Sequence, residues 1–568
     1  MADPALTFCR QKAPSRSLFI FCLWFAVATA TAGAPRSDAI ASAHPLATEA
    51  GLLVLEAGGN AFDAAVAVSA ALAVVEPYGS GLGGGGFWLL HRARDGHQVM
   101  VDGRERAPRA ARADMYLDEQ GEVLPGASID GPLAAAIPGV PAALEHIAGR
   151  YGRLPLAISL APAIILARDG FPVDHAYRRM AGFRRLALQR SEAASAQFLL
   201  GGDVPPEGHR LRQPDLAETL LAIAREGARG FYDGEVAARL VAAVRAGGGI
   251  WTRQDLRDYR VVERTPIVTR FGDHRLVSAN LPSSGGILLA QMLHMLAERP
   301  LEGLDEAERV HLLVEIMRRA YADRARYLGD DDYVHVPRAL LLSRGYARRR
   351  VRQIDPNHAT QSAELPDPAP EGQDTTHFSV LDREGNRVAA TLSVNYPFGA
   401  CFVAAGTGVL LNDEMDDFSA KPGVANAYGL LGSGANAIAP GKRMLSSMSP
   451  TFVEGPDRVA ILGTPGGSRI ITMVLLGLLD AVDGRPVSEW VTRGRFHHQF
   501  MPDLIEIEPG ALPDDVVQAL KLKGHQLRLL EDSYGNMQAI SWDLLSGEVT
   551  AASDPRGIGS SVVSPAPR

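Results

Sequence analysis

The sequence predicts a layered α/β protein. Three observations carry this: a wholly apolar helix near residue 70, a long helical stretch over 140–350, and strand-type alternation that begins abruptly at Thr375. Of the 568 residues, 46% are hydrophobic and 21% charged, which suits a large packed core and excludes global disorder. At about 150 residues per domain, the length allows about four domains. The 57 basic and 65 acidic side chains give a net charge of −8, which argues against nucleic-acid binding, since that draws on a basic surplus. No run of about 18 apolar residues follows the N-terminal segment, so several membrane spans are excluded and no stable membrane insertion is expected.

The N-terminus reads as an export signal. Arg10, Lys12 and Arg16 precede the apolar run Leu18 to Thr29, and Ala30-Thr31-Ala32 fits the small-x-small cleavage pattern. Cleavage after Ala32 makes 1–32 the signal peptide and predicts a periplasmic or secreted protein. Cys9 and Cys22 lie in that segment. Cys401 is then the single remaining thiol, with no internal disulfide or cysteine-based zinc site, and is expected as a small buried residue just after a strand.

His44 to Ala57 reads as a helix stopped by Gly58-Gly59, and Asn60 as the N-cap of a second helix, Ala61 to Val75. Ala64 to Val75 is apolar on nearly every face, which predicts complete burial. Gly81, Gly83 and Gly86 have dinucleotide-loop spacing but follow a helix and open a strand, Phe87 to His91, the reverse of that motif's context. They are expected instead to let backbones pack closely. Residues 140–350 read as mostly helical, with loops near 201–208 and 247–249, and Arg348-Arg349-Arg350 as a solvated helix face. Asp355 to Gly372 carries Pro356, Pro366, Pro368 and Pro370 and reads as an exposed, mobile linker.

After the linker, Thr375 to Leu381 and Arg387 to Val394 read as a hairpin around the turn Asp382 to Asn386. If it is symmetric about Glu384, Thr375 lies opposite Ser393, and Ser393 and Asn395 share a face. Three polar clusters follow. Carboxylates stand at Asp413, Glu414, Asp416 and Asp417, without the spacing of a calcium loop. Ser446 and Ser447 are adjacent hydroxyls. Gly463 to Ser468 is a turn before a helix, Ile470 to Leu479, whose uncovered N–H groups suit an oxyanion. No zinc-protease, phosphate-loop or paired-cysteine motif occurs, and His497-His498 lacks ligand spacing, so no metal or cofactor is expected.

These blocks resemble the gamma-glutamyltranspeptidases, or glutathione hydrolases. Asp374-Thr375-Thr376-His377-Phe378-Ser379-Val380 resembles their processing site. The likeness continues through Asn412 to Gly432, Arg443 to Pro450, and Pro465-Gly466-Gly467-Ser468-Arg469-Ile470. Earlier blocks are Gly58 to Ala65, Gly81 to Phe87, Arg104-Glu105-Arg106-Ala107-Pro108 and Pro282 to Gly286, and Ser553 to Arg556 lies near the end. The family belongs to the N-terminal nucleophile hydrolases, so the resemblance implies an αββα sandwich made as one chain that cuts itself, here between Asp374 and Thr375. A large subunit, 33–374, ending in the linker 355–374, and a small subunit, 375–568, would form one intertwined domain, a heterodimer from one precursor.

By the same resemblance Thr375 is the nucleophile, with its freed α-amine as base. Ser393 orients that amine, and the N–H groups of Gly466 and Gly467 form the oxyanion hole. The substrate α-carboxylate meets Arg104, Ser446 and Ser447; the α-ammonium meets Asn395, Glu414 and Asp417. Lys421 to Gly432 corresponds to a lid, with Tyr428 at the covering position. Ser393 departs from the usual Thr, keeping the hydroxyl and losing a methyl, and Glu414 stands where some members carry Gln. The implied activity is hydrolysis of glutathione and related gamma-glutamyl compounds, and transfer to amino acids or dipeptides. The alternatives are a glutaryl-type cephalosporin acylase of the same fold, or a catalytically dead peptide-binding protein.

Overall fold

Period-two alternation in the central strands sorts the apolar side chains into separate cores. In the strand Thr376–Leu381, Phe378 and Val380 face one core and Leu381 another; in Arg387–Ser393, Val388, Ala390 and Leu392 oppose Ala389 in the same way. The computed structural model describes residues 33–362 and 375–565, except 422, 425, 427, 428 and 431. Residues 1–32, expected as an export signal, the expected linker end 363–374 with Asp374, and Tyr428 lie outside the described residues.

Two large sheets stack. The first has the order Ser560–Val563, Ala39–Ser42, Thr376–Leu381, Arg387–Ser393, Gly85–Arg92, His97–Asp102, Val262–Arg264. The second has Val549–Ser553, Gln538–Asp543, Arg458–Gly463, Thr451–Glu454, His274–Ser278, Ile267–Phe271. Ala39, Ala41, Leu89, Ala389, Phe452, Ile461 and Ile540 fill the space between them. Outer helices cover both outer faces. Pro45–Glu56 and Ala61–Val75 pack with Trp88, Leu90 and Phe378 of the first sheet. Gly285–Glu298, Glu306–Tyr327 and Ile470–Val482 pack with Leu276, Val453 and Leu462 of the second. This helix–sheet–sheet–helix order is the αββα arrangement.

Asn60 caps the second helix in a full capping box with Asp63, and every residue of Ala61–Val75 is buried. The glycine run works by close approach: a Cβ at Gly83 would strike the Leu410 carbonyl, and one at Gly84 the Ser393 carbonyl.

Four expectations change. The stretch 140–350 is interrupted by Val262–Arg264, Ile267–Phe271 and His274–Ser278, strands too short to show against the helical surroundings. Cys401 does not follow a strand; it sits at φ 50° in an irregular turn before the short strand Val403–Ala404. The described start of the linker is exposed but tied down: the Thr360 hydroxyl donates to Glu315 at 2.5 Å, the Ser362 N–H to Asp503 at 2.5 Å, and the Ala359 N–H to the Lys523 carbonyl at 2.7 Å. Buried Glu315 on the Glu306–Tyr327 helix organises this clamp together with Arg318 and Arg319. The arginine cluster is divided: exposed Arg348 pairs with half-buried Glu298 at 2.7 Å, while Arg350 turns inward to the Arg319 carbonyl at 2.9 Å.

Candidate active site

The hairpin register places Thr375. Arg387 pairs with Leu381 and Leu392 with Thr376, so Ser393 comes opposite Thr375, the symmetric register expected about Glu384. The Ser393 hydroxyl accepts the Asn395 N–H at 2.8 Å, and Asn395 leaves the strand at φ 76°, its amide group donating to the Asp413 carbonyl at 3.1 Å. Asn412 pins the next segment: its side chain bonds Gly83 and Ala136, and it accepts the Glu414 N–H at 3.0 Å.

The acidic cluster is a 3₁₀ turn, Glu414–Asp417. With three residues per turn, residues three apart share a face. Glu414 and Asp417 therefore point together at Arg104, while Asp413 and Asp416 point away, accepting from the Tyr396 N–H at 2.9 Å and the Ser128 hydroxyl at 2.6 Å. Arg104 is wholly buried and ion-paired with both Glu414 and Asp417, and its Nε donates to the Met444 carbonyl at 3.3 Å. Burial works against its charge, but Glu414, Asp417 and Glu105 outweigh that and hold it firmly protonated. Burial raises the Glu414 carboxyl above its ordinary range, with Arg104 opposing. The two faces expected to receive opposite ends of a substrate thus hold each other.

Ser446 is anchored through its backbone. Its N–H donates to the Pro282 carbonyl at 2.8 Å, and its own carbonyl accepts the Ser284 hydroxyl at 2.7 Å. Ser447 accepts from Arg324 at 3.2 Å. Gly466 (φ 133°) and Gly467 (φ 55°) form the turn before the Ile470–Val482 helix; a Cβ at Gly466 would meet the Met473 methyl. Among the described residues neither glycine's N–H has a hydrogen-bond acceptor, so both donors remain available for a negatively charged oxygen.

Arg104, Thr375, Ser393 and Asn395 line one cavity, with Glu414, Asp417, Ser446, Ser447 and Gly467 completing it. Its volume is about 20 Å³, room for one water. Thr375 also borders a second cavity, where Gly466 lies. Every described site candidate is therefore drawn to one of two spaces flanking Thr375.

Two neighbours received no role from the sequence. Arg324, buried on the Glu306–Tyr327 helix, reaches Ser284 and Ser447, and burial lowers its pKa. No motif marks it. Glu105 follows Arg104 in sequence; both its oxygens are buried without a hydrogen bond among the described residues, and burial with Glu414 raises it well above the carboxylate range. The only described trio close enough to share a metal is Asp330, Asp331 and Asp332, outside this site.

The chain is similar to known proteins over most of its length. A gamma-glutamyltranspeptidase family model matches residues 47–564. A glutathione hydrolase proenzyme of Pseudomonas sp. (strain A14) is 44% identical over 508 residues, covering 88% of each chain. One from Escherichia coli (strain K12) is 42% identical over 527 residues, covering 91% of this chain and 90% of that one. Among solved structures, a cephalosporin acylase from Bacillus halodurans superposes with a TM-score of 0.81 at 26% identity, covering 98% of this chain and 99% of the other. With most of its length matched by the family model and by close relatives, the chain belongs to the gamma-glutamyltranspeptidase family.

Proposed function

We propose that this chain is a self-processing gamma-glutamyl hydrolase and transferase that acts on glutathione and related gamma-glutamyl compounds. The observation that carries the reading is the hairpin register, which sets Thr375 opposite Ser393 in a cavity walled by Arg104, Glu414 and Asp417. Cleavage before Thr375 divides the chain into subunits 33–374 and 375–568. It also frees an α-amine with an ordinary pKa of about 7.7–8.0 on the nucleophile itself.

That amine takes the proton of the Thr375 hydroxyl as the oxygen attacks the gamma-glutamyl carbonyl. Ser393 orients the amine, and the Gly466 and Gly467 N–H groups receive the developing oxyanion. The protonated Thr375 amine gives its proton to the departing nitrogen; collapse expels the amine of the leaving peptide and leaves a gamma-glutamyl ester on Thr375, which water, an amino acid or a dipeptide then opens. Arg104, with Ser446 and Ser447, takes the substrate α-carboxylate, where the planar guanidinium gives a two-point contact. Asn395, Glu414 and Asp417 take the α-ammonium. Tyr428 acts as the lid residue. No cofactor or metal enters the scheme.

The acylase reading draws on the fold shared with the Bacillus halodurans enzyme. A glutaryl side chain lacks the ammonium, and Glu414 and Asp417 favour the gamma-glutamyl substrate. The N-terminal apolar segment supports export to the periplasm or medium, and among the described residues no helix is long and apolar enough to cross a membrane.

A denaturing gel tests the reading: two bands of about 40 and about 20 kDa are expected, at about 110 Da per residue. The lighter band should begin Thr-Thr-His, and Thr375→Ala should leave one band. A split Thr375→Ala chain overturns the nucleophile assignment. Release from glutathione exceeding release from a glutaryl amide separates this activity from the acylase.

A further inference from the structure

The mature base does not exist before the chain is cut. While the Thr375 nitrogen is part of a peptide bond its lone pair is delocalised, and it cannot take the Thr375 hydroxyl proton. Self-cleavage therefore needs another proton acceptor near Thr375.

The second cavity beside Thr375 supplies one. It has a volume of about 80 Å³, enough for water, and Glu76, Thr375, Gly466, Tyr534 and Arg556 are among its walls. Glu76 ends the Ala61–Val75 helix and is 4% exposed. Its side chain folds over Gly79, where a Cβ would stand 3.2 Å from the carboxyl carbon. Its Oε2 has no hydrogen-bond partner among the described residues, and the buried Thr376 hydroxyl, next in the chain after Thr375, faces the same carboxyl. A buried carboxyl oxygen without a hydrogen bond, facing a water-sized space, is costly unless it has work there.

We propose that Glu76 handles the proton of the self-cleavage through water in this cavity. As a carboxylate it takes the proton of the Thr375 hydroxyl while the oxygen attacks the carbonyl carbon of residue 374. As the resulting carboxylic acid it returns that proton to the Thr375 nitrogen when the 374–375 C–N bond breaks. An ester between residue 374 and the Thr375 oxygen is left. Water then hydrolyses it to a new C-terminal carboxylate, the free Thr375 hydroxyl and the free amine. Glu76 ends as it began. It acts through water, as a positioning residue for the proton, and the scheme rests on Thr375 being the self-cleaving nucleophile.

The surroundings suit the role. Burial pushes the Glu76 carboxyl up to about 8; the Thr376 hydroxyl opposes this and Asp174 adds to it. Asp174 is itself paired with His44 at 3.5 Å. Tyr78, exposed Arg179, Tyr534 and Arg556, the last held by Glu508 and Asp554, also line the cavity. Glu76 is thus partly ionised near neutral pH, able to accept a proton and to give it back.

The test follows the band ratio of the full chain after cell-free synthesis, in buffers from about pH 6 to about pH 9. The wild-type splitting rate should rise with pH and level off above about 8. Glu76→Gln should split at least ~100-fold more slowly and lose that inflection. Glu76→Asp should keep a shifted inflection, and Glu76→Ala should be accelerated by added formate. Wild-type splitting by Glu76→Gln, or slow splitting with the inflection unchanged, overturns the proposal. If Glu76→Gln does not reach the melting temperature of the Thr375→Ala chain, the other two variants decide: an unshifted inflection in Glu76→Asp, or no formate effect on Glu76→Ala, overturns it. Splitting of Thr375→Ala is a different failure, since it removes the nucleophile assignment and leaves Glu76 nothing to serve.

Discussion

Arg104 and Glu414 are ion-paired with each other inside the candidate site, both almost wholly buried, and the second arm of Arg104 reaches Asp417. A gamma-glutamyl head carries a carboxylate and an ammonium on one carbon. In the proposed binding mode such a head would exchange an internal ion pair for two pairs across the interface, Arg104 to the carboxylate and Glu414 with Asp417 to the ammonium. Desolvation of these side chains is already met in the folded protein, so the ligand need desolvate only itself.

Removal of Arg104 should damage stability as well as binding. Arg104→Ala strands Glu414, Asp417 and Glu105 in the interior, a loss of about 3–5 kcal/mol for a broken buried pair. Thermal denaturation should show a lower melting temperature, and the half-saturation concentration of a gamma-glutamyl anilide should rise about tenfold or more. An unchanged half-saturation contradicts the carboxylate role.

Glu414→Gln isolates the ammonium contact. It removes a carboxyl whose charge burial disfavours, and Arg104 keeps Asp417, so stability should hold within about 1 kcal/mol or improve. Affinity for a gamma-glutamyl donor should fall, while a glutaryl amide, which lacks the ammonium, should be bound no worse. Equal losses for both ligands would place Glu414 elsewhere in the mechanism.

Gly466→Ala tests the oxyanion donors. At φ 133° an alanine is strained, and its methyl would meet Met473, so the turn must shift. Loss of one oxyanion donor costs about 10²–10³ in turnover. The expected outcome is a turnover loss of that size with half-saturation little changed; a mutant that mainly loses affinity argues against the role.

What the sequence disclosed follows from the range of the forces involved. The hairpin register was legible because the turn Asp382 to Asn386 has one centre and strand alternation propagates it to Thr375 and Ser393. The Ala61–Val75 helix was legible because Asn60 and Asp63 cap it locally. Carboxylates at 413–417 stood out, but their division into two faces depended on a 3₁₀ turn that composition does not specify. Arg324 was invisible: it looks like its neighbours Arg318, Arg319 and Arg326, and only tertiary packing brings it to Ser284 and Ser447. The strand pair Ile267–Phe271 and His274–Ser278 was hidden for the same reason, being defined by pairing with Thr451–Glu454.

His377 makes the acid side of the stability curve predictable. It lies two residues after Thr375 between the sheets, its Nδ1 2.8 Å from the Thr391 hydroxyl, its ring against Gly463 where a Cβ would strike it. Burial lowers its pKa to about 3, against an ordinary value of about 6.5 in an unfolded chain. Between those values the unfolded chain binds the proton and the folded one does not. The stability from neutral His377 is therefore complete above about pH 6.5 and is lost as pH falls toward 3, amounting to ~2 kcal/mol at pH 5. His91, His498 and His525 are depressed too and add to the slope. The melting temperature should drop from pH 7 to pH 5, and the drop should be smaller in His377→Gln, which has no ring to protonate. Equal drops in the two proteins would mean that His377 takes up its proton without unfolding.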